Sequence, residues 1–305
     1  MAGTTGPEGR RRTTGAANVK VLVFGKTGQV ARELSRRSPE GWEMTTLGRE
    51  DADLCDPESC AEAINIRRPD AVINAAAYTA VDRAETQEDL ARRINAYSPA
   101  AMAQAAASIC IPFLHISSDY VFDGASSIPQ RPDCPTSPVN AYGRTKLAGE
   151  EAVRAAGGKY AILRTSWVFS SHGTNFVKTM LRLGREHDVL SIVSDQIGGP
   201  TPAADIASAL VRMADCLTAE SEHGGVFHFS GAPEVSWANF AREIFSQARI
   251  SCTVREISTT EYPTPARRPA NSRLDCHSLA SKFGIERPDW RTGLAMVLQE
   301  LEASA

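Results

Sequence analysis

Tyr142 and Lys146 frame the pentapeptide Tyr-Gly-Arg-Thr-Lys. On a helix, residues i and i+4 share one face. A phenol with an ordinary pKa of about 10 is a weak acid–base group at neutral pH. A neighbouring ammonium and an oxidised nicotinamide favour the phenolate and lower that pKa. Such a tyrosine can protonate a carbonyl oxygen while hydride arrives at its carbon, and the lysine can also hold the nicotinamide ribose. An isolated tyrosine–lysine pair is common by chance, so its weight comes from its neighbours. Ser117-Ser118-Asp119-Tyr120-Val121-Phe122-Asp123-Gly124 closes an apolar run. Ser118 offers a hydroxyl to the same carbonyl. Asp119 suits a sugar hydroxyl, or it simply caps a turn. His115, inside the run, has the character of a satisfied core histidine rather than a catalyst.

A second constellation binds phosphate. Gly25-Lys26-Thr27-Gly28-Gln29-Val30-Ala31 follows an apolar strand candidate directly. Gly25 permits the tight turn, Gly28 lets a pyrophosphate approach the backbone, and Ala31 lets the helix pack on the sheet. The helix N-terminus then faces the phosphates. The spacing is GxxGxxA, so its strand–turn–helix context carries the dinucleotide reading. After the second strand, at Leu47-Gly48-Arg49, the usual ribose-binding carboxylate is missing. Arg49 suits a 2′-phosphate, which favours NADPH; Glu50, Asp51 and Asp53 keep NADH as the alternative. Small residues in Asn74-Ala75-Ala76-Ala77-Tyr78-Thr79 would let a dinucleotide lie across the sheet, or serve only tight packing.

The elements that must hold these groups alternate. Strands are expected at Val19–Phe24, Met44–Leu47, Ala71–Asn74, Pro112–Ser117 and Tyr160–Arg164. Helices are expected at Gly28–Arg37, Pro57–Arg67, Glu85–Ser108 (with Pro99 a break point) and Ala141–Ala156. That order implies an α/β, Rossmann-type, doubly wound parallel sheet. After residue 166 the alternation loosens into helices at Asn175–His187, Ala203–Leu217 and Ser236–Ala248, the last with Ser236 as N-cap. A long segment, 258–275, holds Pro263, Pro265 and Pro269. The organisation expected is a disordered leader over 1–18, a dinucleotide-binding domain over 19–165, and a smaller C-terminal, mainly substrate-binding region over 166–305 interwoven with the sheet.

Composition narrows the class. The chain has 305 residues and a formal net charge of -3, which gives no reason to expect nucleic acid or an anionic membrane. No apolar run approaches the roughly 20 residues of a membrane helix. Seven scattered cysteines, with no CxxC pair and no zinc spacing, point to reduced thiols in the cytoplasm. No metal ligand set is visible. The Arg10-Arg11-Arg12 run precedes no apolar core, so the N-terminus is not a signal peptide.

Together these segments resemble the extended short-chain dehydrogenase/reductase family and, within it, the dTDP-4-dehydrorhamnose reductases. The likeness continues through Arg164-Thr165-Ser166-Trp167-Val168, Asn175-Phe176, Asp195-Gln196, Gly199-Pro200-Thr201, Tyr262 to Pro269 and Asn271-Ser272-Arg273-Leu274. The resemblance implies reduction of the C4 ketone of a dTDP-4-dehydro-6-deoxysugar, a small-molecule substrate, by NAD(P)H. It makes Tyr142 the proton donor, with Lys146 and Ser118. It assigns Gly28, Gln29, Val30, Asp53, Leu54, Ala77, Tyr78 and Thr79 to the cofactor. Asp119, Trp167, Asn175, Arg268 and Asn271 fall to the substrate. Some members bind Mg2+ at a dimer contact; Glu33 matches one such position, but one carboxylate is not a site. Monomer and homodimer both fit. The rivals are a reductase of another nucleotide-linked 4-keto sugar and a non-catalytic regulatory subunit resembling the methionine adenosyltransferase β subunit. The latter shares the Ile116 to Gly124 stretch and the tyrosine–lysine pair, whereas the Trp167 and Asp195-Gln196 segments favour the reductase.

Overall fold

Val19–Phe24 (β1) buries its last four residues, as a strand covered on both faces must. In the computed structural model, which describes residues 18–219 and 224–303, it is the first of a βα series. The expected leader lies outside the described residues except for Asn18. The series continues through Gln29–Arg36 (α1), Trp42–Leu47 (β2), Pro57–Arg67 (α2), Ala71–Asn74 (β3), Val81–Ala84 (α3) and Glu88–Arg92 (α4). Ser98–Ser108 (α5), Phe113–Ser118 (β4), Ala141–Ala155 (α6) and Tyr160–Thr165 (β5) complete the first half. The second half adds Phe176–Glu186 (α7), Ala203–Ala219 (α8), Trp237–Gln247 (α9), His277–Phe283 (α10) and Trp290–Ala303 (α11). Local chemistry sets several starts. Asp56 accepts hydrogen bonds from Glu58 N and Ser59 N at α2, Asn140 from Gly143 N at α6, and Ser236 from Asn239 N at α9.

The stretch expected to be helical from Glu85 to Ser108, with a break point at Pro99, is instead interrupted at Gln87 and runs on through Pro99 after widening into a π-turn over Arg93–Tyr97. Pro99 explains the widening. Having no N–H, it cannot bond the carbonyl of Asn95 four residues earlier.

Six parallel strands form one sheet in the order Gly225–His228, β5, β4, β3, β1, β2. The chain reverses direction of travel between β1 and β3, and that switch point opens a crevice at the strands' carboxyl ends. On one face α1 and α8, with Leu279 and Phe283 of α10, cover Val21, Val23, Ile73 and Leu163. On the other, α2 and α5 cover Leu22, Phe24, Val72 and Phe113. The alternation does not stop at residue 165. α8 crosses over the sheet, and Gly225–His228, a strand not foreseen from sequence, pairs beside β5. A separate apolar cluster around Phe240 and Trp290 joins α7, α9 and α11, beside a two-stranded parallel ladder of Val189–Val193 with Thr253–Ile257. The segment 258–275 is short of regular structure, with one 3₁₀ turn at Thr259–Glu261 and a two-residue strand at Asn271–Ser272.

Candidate active site

The carboxyl ends of β1, β3, β4 and β5 open on one cleft of about 580 Å³. Its phosphate-binding side is the turn after β1. Gly25 has φ +114°, and a Cβ there would lie 3.0 Å from Ala76 N, so only glycine fits. Gly28 is the N-cap of α1 and has no side chain to occupy the first-turn amides, which leaves them for an anion. Val30, Ala77 and Thr79 line the same cleft. Gln29 also lines it, and its Oε1 accepts hydrogen bonds from Ser170 Oγ and Asn175 Nδ2, 2.9 Å each.

On the opposite wall, α6 presents Tyr142 and Lys146 to the cleft. Tyr142 packs edge-on to Tyr120 at 5.4 Å. Enclosure around its hydroxyl pushes its pKa up to about 12, opposed by a hydrogen bond with Ser118. The expected lowering joined Lys146 to an oxidised nicotinamide; Lys146 alone is not among the groups that shift this phenol. The Lys146 Nζ donates to Ile116 O at 2.7 Å and lies 3.3 Å from His115 Nε2. Burial brings Lys146 itself down to about 8, opposed by the charge of Glu150.

Ser118 ends β4. Its Oγ caps the short 3₁₀ turn Asp119–Val121, accepting from Tyr120 N, and donates to Asp119 Oδ1 at 3.0 Å. Asp119 is 3% exposed, and its burial raises the carboxyl to about 6 against the neighbouring Ser272 and Ser118 hydroxyls. Trp167, at φ +50°, lines the cleft and stacks on Trp237 with ring centroids 3.5 Å apart. Asp119 Oδ2, Ser117 Oγ and Thr165 Oγ1 are buried without a hydrogen-bond partner, and all three residues line the cleft. Orphaned buried polar atoms are uncommon, and three around one cavity fit a polyhydroxylated ligand. Thr27, Ser117, Thr165, Ser166 and Thr174 were not singled out from sequence. The available signal was their position: hydroxyl residues where strands or turns meet the switch point.

Other expected site residues stand off the cleft. Arg49 projects into solvent with its side chain 77% exposed, 3.7 Å from Asp53. Asp53 Oδ1 accepts from Cys55 N, and Leu54 packs on the core while its carbonyl accepts from Ser98 Oγ. Tyr78 donates its hydroxyl to Gln87 and its N–H to Asn95 Oδ1. Asn175 caps α7. Arg268 forms a two-pronged pair with Asp82, at 2.8 and 3.1 Å. Asn271 is fully engaged: its Nδ2 donates to Ser126 O and Ile128 O, and its Oδ1 accepts from Arg273. In this state Asn175 and Asn271 hold loops, rather than facing ligand space. Glu33 is 2% exposed and paired with Arg36, Arg37 and His172. Among the described residues no group of three or more His, Cys, Asp or Glu is placed to hold a metal, and no helix is long and apolar enough to cross a membrane.

A switch-point cleft with a glycine turn on one wall and a helical tyrosine–lysine pair on the other is the architecture of the extended short-chain dehydrogenases/reductases. Comparison with known proteins narrows it. The family described as RmlD substrate binding domain matches residues 19–303, and the chain belongs to that family. A dTDP-4-dehydrorhamnose reductase of Sinorhizobium fredii is 45% identical, over 89% of this chain and 94% of the relative. A dTDP-4-dehydrorhamnose reductase structure from Clostridium acetobutylicum superposes with a TM-score of 0.88 at 38% identity, covering 93% of this chain and 100% of that one. The Bacillus anthracis enzyme of the same name, solved with NADP, gives 0.87 at 35%, covering 93% and 99%.

Proposed function

We propose that this chain reduces the C4 ketone of dTDP-4-dehydro-L-rhamnose to dTDP-L-rhamnose, the last step of dTDP-L-rhamnose synthesis. The observation that carries the chemistry is the opening of Tyr142, Lys146 and Ser118 onto the same cleft as the Gly25–Gly28 turn. When bound, NADPH supplies the hydride. Tyr142, with its pKa raised to about 12, stays protonated at neutral pH and gives its proton to the carbonyl oxygen. Ser118 orients the phenol, and Lys146 below its pKa of about 8 supplies the positive charge that favours the resulting phenolate. Asp119 Oδ2 and Thr165 Oγ1 accept and donate hydrogen bonds to sugar hydroxyls, and Trp167 forms an apolar wall beside them.

Arg49 supports a preference for NADPH over NADH. Its guanidinium is exposed at the end of β2, 3.7 Å from Asp53, and Lys26, paired with Glu50 at 2.9 Å, adds a second cation nearby. Of the substrate residues read from sequence, Arg268 and Asn271 belong to the nucleotide end, Arg268 foremost. Reaching it requires Arg268 to share or leave Asp82. The seven cysteines are all free thiols, which supports a cytoplasmic location. The buried ion pairs of Glu33 give no support to a resident Mg2+.

The test is consumption of NADPH and of NADH with freshly prepared dTDP-4-dehydro-L-rhamnose, with the product identified by mass and NMR. Turnover to dTDP-L-rhamnose is expected; none with either cofactor refutes the assignment. Arg49→Ala should raise KM for NADPH about tenfold and leave that for NADH nearly unchanged. Equal effects on the two would remove the argument from Arg49.

A further inference from the structure

Behind Lys146 lies a chain of buried polar groups that the reaction as described does not use. Asn74, His115 and Lys146 are 0%, 0% and 1% exposed. Ala76 N donates to Asn74 Oδ1 at 3.1 Å, which fixes which way the Asn74 amide points. Its Nδ2 therefore faces His115 Nδ1, also at 3.1 Å. An amide nitrogen only donates, so Nδ1 must be the accepting nitrogen of the ring. Burial, and then the charge of Lys146, hold His115 well below its ordinary pKa, so the ring is neutral and has one proton. That proton must sit on Nε2, which faces Lys146 Nζ at 3.3 Å. Nζ meanwhile donates to Ile116 O at 2.7 Å.

A donor at Nε2 matches a lysine amine, which has a lone pair, and opposes an ammonium, which has none. The ammonium needs Nε2 as acceptor, which moves the ring proton to Nδ1. A proton on Nδ1 in turn requires the Asn74 amide to turn over and offer its oxygen, releasing Ala76 N–H in the wall of the cleft. The two arrangements differ by one proton taken from solvent: amine with Nε2–H, or ammonium with Nδ1–H.

Resting on the reductase reading, we propose that His115 and Asn74 are positioning residues that couple the charge of Lys146 to the imidazole tautomer and to the Ala76 amide. The imidazole never becomes doubly protonated; it exchanges one tautomer for the other as the lysine titrates. The groups acting on Lys146 are His115 from β4 and, from its own helix, Glu150. The Glu150 carboxylate is already paired with Arg164 at 2.6 Å. The enzyme thus tunes the charge its phenolate needs without exposing the lysine to water.

The test needs no substrate, so it stands apart from the assay of the activity. The ¹⁵N resonances of His115 are followed from pH 6 to pH 10 in the cofactor-free protein labelled at histidine. The expected result is Nε2 protonated at high pH and Nδ1 protonated at low pH, with a midpoint near the lysine's pKa of about 8. In Lys146→Met the tautomer should stop titrating. In Asn74→Asp, whose carboxylate accepts from both Ala76 N and Nδ1–H, the proton should stay on Nδ1 throughout. If the variant folds and turns over, the alkaline limb of kcat/KM should move up by about one unit. A tautomer fixed across the range in the unsubstituted protein, or an imidazolium at low pH, overturns the proposal. So does unchanged titration in Lys146→Met.

Discussion

Tyr142 keeps its proton because it is enclosed, and this separates its role from that of a neighbouring cation. Tyr142→Phe should lower kcat by roughly a hundred- to ten-thousand-fold. NADPH affinity, measured by fluorescence quenching, should stay near that of the unsubstituted protein, since the ring is retained. Full activity in this variant would remove the proposed acid. Asp119 carries a cost of the opposite kind. Its folded pKa of about 6 lies above that of an unfolded aspartate, so the folded state holds the proton longer. Stability contributed by this residue is therefore present at low pH and lost as pH rises from about 4 through 6. Asp119→Asn should raise stability at pH 8 by up to about 3 kcal/mol and hardly at pH 4, in urea titrations, while reducing turnover. Equal stabilisation at both pH values would contradict the burial argument. Types and spacing made Tyr142, Lys146 and Ser118 legible in the sequence. The partners of Lys146 were not legible, because His115 and Ile116 reach it from β4, and Asn74 backs His115 from β3.

At the level of elements, the site depends on how closely α6 approaches the π-turn Arg93–Tyr97. A Cβ at Gly149 would collide with the carbonyl oxygen of Asn95, the same carbonyl that Pro99 leaves without its helical donor. Asn95 in turn bonds Tyr78 N and O and donates to Thr145 Oγ1 on α6. The helix carrying Tyr142 is thus registered against the loop after β3. Gly149→Ala should cost about 2 kcal/mol in chemical denaturation and lower kcat more than a surface change of equal size. Undiminished stability would mean that α6 is free to back away. Pro99 was visible in the sequence as a break. That it produces a π-turn depends on α6 packing there, which no local pattern carries.

For the molecule as a whole, the two halves are not separable bodies. Gly225–His228 pairs with β5, and α8 covers the face of the sheet over β1 and β3. Arg164, 2% exposed, pairs with Glu150 at 2.6 and 2.9 Å, donates to Pro132 O and lies over Phe122. His228, held by burial and the Arg164 charge down to about 3, remains neutral and donates from Nδ1 to Gln130 O. These contacts fasten the loop after β4 to strands from both halves. A chain ending at residue 165 should therefore lack a cooperative unfolding transition and bind apolar dye. A folded, dispersed NMR spectrum from that piece would show that residues 19–165 suffice.

The sequence by itself determined the βα alternation, the glycine turn, the Tyr142–Lys146 pair and the family likeness. Each depends on residue types at short, fixed spacings, where backbone sterics and helical periodicity act locally. Only the tertiary structure decided the sixth strand, the π-turn, the inward engagement of Asn175 and Asn271, and the engagement of Lys146 by Ile116 O and His115. Those depend on which distant groups are buried together, because a buried donor or charge must take whatever partner the packing brings within reach.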